Sequence, residues 1–532
     1  MKQLNEEQQR LQEEIKSFVS SKQNGFFGVL GAGGTGKTFT ICQTINPDKA
    51  IFVGATNKVC NVIKMGLLEN GVLNPKIKTI DSFLSFKITK DHNNRSVITH
   101  RLPKLEAIPP IIVIDEISLI NNRSLEMLLK LKPKRKFILL GDNMQIPPIE
   151  DDFVRDAQGF KISKVFTHLD YSFTLTTQQR QKDGTPLFNF IANFRQHMTK
   201  RMPLERLAIH HQNGNDIQYF EMNDKELKAY IKKSEAVAVC YKNLTVLSFS
   251  WLIGSTKLNQ RHYRVNDINI GDKVFFDSYY NDGINSFYTS ETVVIKDIEL
   301  NCEMEVEVKE DLFVTVPIKK IMIENKEGQS FIINSGMGYK ETMYPVYYQV
   351  NKWRDKYKRQ MEEAFNLGHT IRGHKIKKQI AEINTNYSDF QLSLAKLKKP
   401  FSITAHKAQG STYKEVIIPI YDYWAKEPQD SNQLLYVAIS RAKERVIFVN
   451  RKENFKDNSN RYSFTEYEKF SIASSHNYIC AHCKTELEDR EFDIDHIVPI
   501  ANGGKNTVDN LQPLCKNCHK EKCKTEQYED SI

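Results

Sequence analysis

Near the end of the chain, four thiols stand in two pairs, Cys480-x-x-Cys483 and Cys515-x-x-Cys518. Each pair offers two thiolates to one tetrahedral ion, the spacing of a structural zinc site. Inside or beside this frame lie Asp495-His496, Asn510 and His519. They offer a base, a ligand pair for a hard divalent cation and an amide able to tie down a loop. Phosphodiester hydrolysis needs such a set, because water must lose a proton and the leaving 3′ oxygen must be stabilised. His519 directly follows Cys518 and competes as a zinc ligand, although four thiolates already close a tetrahedral site. His482 and Cys523 read as bystanders.

A second constellation opens the chain. The apolar run Phe26–Leu30 reads as a buried strand feeding Gly31-Ala-Gly33-Gly34-Thr35-Gly36-Lys37-Thr38 and then a helix. Strand, glycine loop and helix form the setting in which backbone N–H groups close around phosphate oxygens. Lys37 would reach the β- and γ-phosphates, and Thr38 would bind magnesium. The apolar run Ile111–Ile114 ends in Asp115-Glu116; Asp115 would hold magnesium and Glu116 would polarise the attacking water. A third run, Phe137–Leu140, leads to Gln145, placed to sense the γ-phosphate. Arg180 in LTTQQRQ and Arg441 in YVAISRA have the positions of arginine fingers, which meet charge developing on the transferred phosphoryl.

These elements belong to a long chain. At 532 residues, three to five compact units are expected. An apolar fraction of 40% and a charged fraction of 26% are those of a globular protein. The net charge of +10 (75 Lys and Arg against 65 Asp and Glu) is compatible with nucleic acid without demonstrating it. No apolar stretch is long enough for a signal core or a bilayer span, and five of the nine cysteines lie scattered, so a cytoplasmic, reducing setting is expected.

GAGGTGKT, VIDEIS, GDNMQIPP, LTTQQRQ, TAHKAQGSTY and YVAISRA follow the motif order of superfamily 1 helicases. The chain resembles their RecD/Dda-like branch over roughly residues 1–452, and its tail resembles a zinc-framed, McrA-like HNH nuclease. The first resemblance implies that Gln8 reads adenine, that Gly410 adjoins the nucleotide, and that Thr56, Asn57, Thr79, Ser82 and His406 touch DNA. Asp81 stands where that branch usually has His. It also implies 5′–3′ translocation on single-stranded DNA and a preference for single strands and duplex junctions. The second resemblance makes His496 the general base, Asp495 and His519 the ligands of catalytic magnesium or manganese, and Asn510 the structural loop residue. The cofactors implied are ATP, a divalent cation and zinc.

The expected fold is α/β, with two RecA-like P-loop domains and a C-terminal ββα-metal zinc domain. Residues 1–170 make the first RecA-like domain, carrying a hairpin insertion at 84–107 that resembles the branch's duplex-splitting pin. Residues 171–250 and 397–452 make the second. Residues 251–396 are an insertion with an SH3-like barrel at about 265–322 and a helical tower at about 346–396; 453–475 is a linker ending in a helical lead, Thr465 to Ser474, and 476–532 is the nuclease. A helicase whose tail only clamps DNA and an RNA helicase are the alternatives. Anti-phage defence and phage DNA metabolism both suit the fusion, with a partner protein of the same system as a further expectation; no oligomeric state follows from the residues.

Overall fold

The computed structural model describes residues 3–99, 103–148, 150, 153–181, 184–198, 216–222, 225–423, 428–450, 464–488 and 490–529. Its first sheet has six parallel strands in the order Tyr171–Leu175, Gly25–Gly31, Lys136–Gly141, Ile111–Asp115, Ala50–Gly54, Ile77–Thr79. The inner strands are apolar and buried on both faces, as parallel strands covered by helices must be. Leu11, Ile15, Ile41, Val59 and Ile63 from three covering helices complete this core. Parallel pairing brings Gly31, Asp115 and Gly141 to the same edge, where ligands of such sheets bind.

The second sheet is also parallel, in the order Ile217–Glu221, Ala442–Asn450, Tyr413–Pro419, Val237–Cys240, Ser402–Thr404. The boundary expected at residue 170 needs correction. Strand Tyr171–Leu175 pairs in register with Phe27–Gly31 and so belongs to the first sheet. Helix Asn243–Leu258 packs on the second sheet, and the compact unit holding both sheets runs to Asp267, so the insertion begins later than residue 251.

A separate compact unit comprises Ile80–Ile108 and Ile268–Lys399. Its five-stranded antiparallel sheet runs in line from Ser330–Gly336 through Leu312–Glu324, Thr292–Lys309 and Lys273–Phe276 to Leu397–Lys398. Helices Tyr344–Asn366 and Thr370–Leu392 pack on the far half of the long ribbon through Val346, Val350 and Ile383. The hairpin Lys87–Lys90/Ser96–Thr99 belongs to this unit, and Asn384 donates to Asp91 O at its turn (2.7 Å).

At the C-terminus, strands Phe492–His496 and Leu511–Cys515 pair antiparallel, and helix Lys516–Glu529 follows. The linker expected at 453–475 lies outside the described residues up to 463. The helix expected from Thr465 to Ser474 is present as Glu466–Ser475, but it is packed and no linker: it has a Thr465/Glu468 capping box and buries Ile472 and Ala473. No helix among the described residues is long and apolar enough to cross a membrane.

One ion pair ties the two sheet layers. Asp142, just beyond the first sheet, is fully buried and accepts two 2.8 Å bonds from Arg195 and one of 3.0 Å from Tyr436. Burial would raise its carboxyl, but the Arg195 charge and hydrogen bonds, the Lys37 charge and the Met144 N–H together outweigh it, and Asp142 sits below the usual carboxylate range. A depressed carboxylate stabilises the fold above the unfolded value of about 4 and loses that contribution as pH falls through its own lower value. Arg195→Ala is expected to cost roughly 3 kcal/mol in denaturant unfolding at pH 7, because it strands a buried charge. The difference from the parent should shrink in acid.

Candidate active sites

The phosphate loop leaves strand Gly25–Gly31 and enters helix Lys37–Thr44. Gly34 (φ 95°) and Gly36 (φ 85°) take left-handed conformations that favour glycine. A Cβ on Gly34 would lie 2.6 Å from the Arg180 side chain, and one on Gly36 would lie 2.4 Å from Gln8 Nε2. Lys37 Nζ donates to Gly31 O (2.8 Å) and Ala32 O (3.0 Å), and burial lowers its pKa. Thr35 is buried and its hydroxyl donates to Ala32 O (3.0 Å).

Thr38 Oγ1 donates to Asp115 Oδ2 at 2.6 Å, so the two expected magnesium ligands adjoin. Glu116 has a left-handed backbone (φ 57°), a strained position for a residue with a Cβ. Burial, and the Asp115 charge beside it, push its carboxyl upward.

Three expected side chains converge on Gly33. A Cβ there would lie 3.3 Å from Arg441 Nη2, 3.5 Å from Arg180 Nη1 and 3.7 Å from Gln145 Nε2. Arg180 donates to Ser440 O (2.7 Å), while Arg441 donates to Val437 O (3.0 Å) and Ser440 Oγ (2.9 Å). Among the described residues neither guanidinium has a carboxylate hydrogen-bond partner. Burial, then the Arg441 charge, lower Arg180 to about 10. Adjacent cations of this kind are offset by an anion, and the phosphate-binding loop between them suits a polyphosphate.

Gln8 takes a local role: its amide accepts from Asn5 N (3.1 Å) and lies 3.4 Å from Thr35 O. Gly410 (φ 72°) sits against Val59, and Ser411 O accepts from Arg441 (3.3 Å). Thr56 caps helix Asn57–Glu69, and Lys58 Nζ reaches Lys407 O (3.3 Å), which brings Thr56 and Asn57 near the short helix carrying His406. Thr79 ends the first sheet's edge strand, whereas Ser82 lies in the other compact unit. The sequence reading passed over Gln178, which donates to Gly33 O (2.8 Å), and Glu7, which accepts from Thr176 N and Thr177 N (2.8 and 3.0 Å). The place of Gln178 within LTTQQRQ, and of Glu7 directly before Gln8, was the available signal.

In the C-terminal module the ligand sulfurs of Cys480, Cys483, Cys515 and Cys518 all lie within 4.8 Å of one another. Four converging thiols fit one zinc ion. Hydrogen bonding to Thr485 lowers the Cys483 thiol, whereas burial and the neighbouring sulfurs raise Cys518. Asn510 Nδ2 donates to Val498 O (2.9 Å) and Lys505 O (3.0 Å), and its Oδ1 accepts from Val498 N (2.8 Å).

The expected ligand pair Asp495–His519 is joined by no hydrogen bond among the described residues. Asp495 Oδ2 accepts from Lys522 (2.6 Å) and Gln512 (3.0 Å). His519 Nδ1 is 3.2 Å from Asp493 Oδ2. Strand alternation puts Asp493 and Asp495 on one face, and the helix positions 516, 519 and 522 lie over it. A carboxylate and the remaining imidazole nitrogen suit a hard or borderline divalent cation, with Asp493 orienting the imidazole. The alternation in Phe492-Asp-Ile-Asp-His496 was the sequence signal for Asp493.

Three segments match family models: residues 3–199 a PIF1-like helicase, 401–449 a UvrD-like helicase C-terminal domain, and 480–525 an HNH endonuclease. These matches support a superfamily 1 helicase fused to an HNH endonuclease domain. They support a DNA helicase coupled to an endonuclease. An uncharacterized protein of Acanthamoeba polyphaga mimivirus is 22% identical over 505 residues, covering 84% of this chain and 99% of the relative. Bacteroides Pif1 bound to ssDNA is similar at 16% identity, with 84% of this chain and 92% of that one covered and a TM-score of 0.47. Candida albicans Pif1 is similar at 14% identity, with 88% and 99% covered and a TM-score of 0.39.

The HNH domain of this helicase is docked on the second sheet's layer. Trp251 of helix Asn243–Leu258 donates to Tyr478 OH (2.9 Å) and stacks on Phe470 (centroids 5.5 Å). Leu244 of the same helix shares a core with Ile472, Ile494 and Leu511. Trp251→Ala is expected to weaken this docking by on the order of 3 kcal/mol. In calorimetry the nuclease domain should then melt as an earlier, separate transition while ATP hydrolysis persists.

Proposed function

We propose that the helicase half translocates 5′–3′ on single-stranded DNA, drawing on ATP bound at the phosphate loop, and that the HNH domain cuts DNA as it travels with the motor. The convergence of Arg180, Arg441 and Gln145 on Gly33 carries this reading, because it joins both sheet layers at one phosphate site. Lys37 binds the β- and γ-phosphates, Glu116 takes the proton of the attacking water, and the two arginines meet the charge that develops. Thr38 and Asp115 would hold the nucleotide's magnesium, whose charge offsets that of the phosphates. Thr56, Asn57 and His406, on adjoining elements, form the strand-contact surface.

In the nuclease His496 removes a proton from water, the oxygen bonds to phosphorus, and the P–O3′ bond breaks. Asp495 and His519 would hold magnesium or manganese, which supplies positive charge for the leaving oxygen. Asn510 keeps the intervening loop in register. One observation favours the alternative of a non-cleaving clamp: Lys522 already neutralises Asp495, so a cation must displace it. Anti-phage defence, with phage DNA metabolism as its rival, is the setting that a motor carrying a cutter suits; neighbouring genes test that reading.

Lys37→Ala is expected to abolish ATP hydrolysis and strand displacement while leaving nicking intact. His496→Ala should abolish nicking of supercoiled plasmid in Mg²⁺ or Mn²⁺ and spare the ATPase. Absence of nicking by the parent protein under all those conditions, with and without ATP, would establish the clamp.

A further inference from the structure

His496 Nε2 lies 2.6 Å from Asn506 Oδ1. An amide oxygen only accepts, so the proton of a neutral imidazole resides on Nε2. Nδ1 is then the basic nitrogen, and no group among the described residues bonds it. The ring is flanked by Phe464, with centroids 6.0 Å apart. Asn506 is itself held from behind. Asn510 Nδ2 donates to the carbonyl of Lys505, and Asn510 N donates to that of Thr507 (2.9 Å), so both neighbours of Asn506 are fixed by the loop residue.

We propose that Asn506 is a positioning residue of the nuclease: it accepts from Nε2 of His496 and so leaves Nδ1 as the nitrogen that takes the proton of the attacking water. The inference rests on the reading of His496 as general base. It also gives Asn510 a chemical consequence beyond loop shape. The chain Asn510, Lys505 carbonyl, Asn506, His496 carries the register of the loop to the base. Asn506 is exposed and belongs to neither the thiol cluster nor a hydrophobic core, so replacing it leaves the fold intact.

The test is plasmid nicking by the full-length protein in Mn²⁺, with kcat and KM for DNA measured separately. Asn506→Ala should lower kcat roughly 10- to 100-fold with KM and the ATPase rate unchanged, in the range typical of lost orienting partners. Asn506→Asp keeps an acceptor and no donor, and should stay within a few-fold of the parent. Protein labelled with ¹⁵N-histidine, with His496 assigned by its loss in His496→Gln, should show an Nε2-protonated ring that becomes a mixture of tautomers in Asn506→Ala. Unchanged kcat in Asn506→Ala, an aspartate variant as slow as the alanine one, or an Nδ1-protonated ring in the parent would each overturn the proposal. A parent protein that nicks nothing instead defeats the nuclease reading itself, while the labelled ring still reports whether Asn506 sets the tautomer.

Discussion

Two guanidiniums crowd a single glycine of the phosphate loop, and the rest of the helicase is arranged around that constraint. Arg441 is fully buried and Arg180 partly so, each held by carbonyl or hydroxyl oxygens that carry no full charge. Such a pair is costly unless an anion joins it. Arg180 follows the first sheet's edge strand and Arg441 precedes a central strand of the second, so an anion bound there is gripped from both layers. The Asp142–Arg195–Tyr436 cluster is a second tie between the same layers, and its charges are matched, so it holds without a ligand. Among the described residues one tie lacks a matching charge and the other is complete in itself.

The nuclease is coupled to this machinery through one helix. The segment before helix Asn243–Leu258 is anchored by Asp422, which accepts from Tyr241 N and Lys242 N at 2.6 and 3.0 Å. Tyr241 in turn lies against His406, with ring centroids 6.3 Å apart. The opposite side of the helix supplies Leu244 and Trp251 to the nuclease core. An ion-stapled module of this size gains stability from any apolar surface it borrows. The nuclease domain is therefore packed against the second layer.

Where reading along the chain went astray, the reason was long-range pairing. Tyr171–Leu175 carries no mark of which sheet it joins; its register with Phe27–Gly31 decides that. Helix Glu466–Ser475 is legible as a helix but not as packed structure, because its buried side, Ser471, Ile472, Ala473 and Ser474, is mostly small or polar, and only docking on a neighbour makes that side a core.

The sequence alone determined the chemistry available. Glycines at fixed spacing, acids at strand ends and paired cysteines each act through their immediate neighbours along the chain, so their spacing carries the information. Tertiary structure decided the partnerships: Arg180 beside Arg441, Asp493 behind His519, Lys522 on Asp495, Asn506 on His496, and the nuclease on helix Asn243–Leu258. Those depend on which faces of strands and helices meet, and a tautomer or a buried charge is set by the atom a few ångströms away, whatever its distance along the chain.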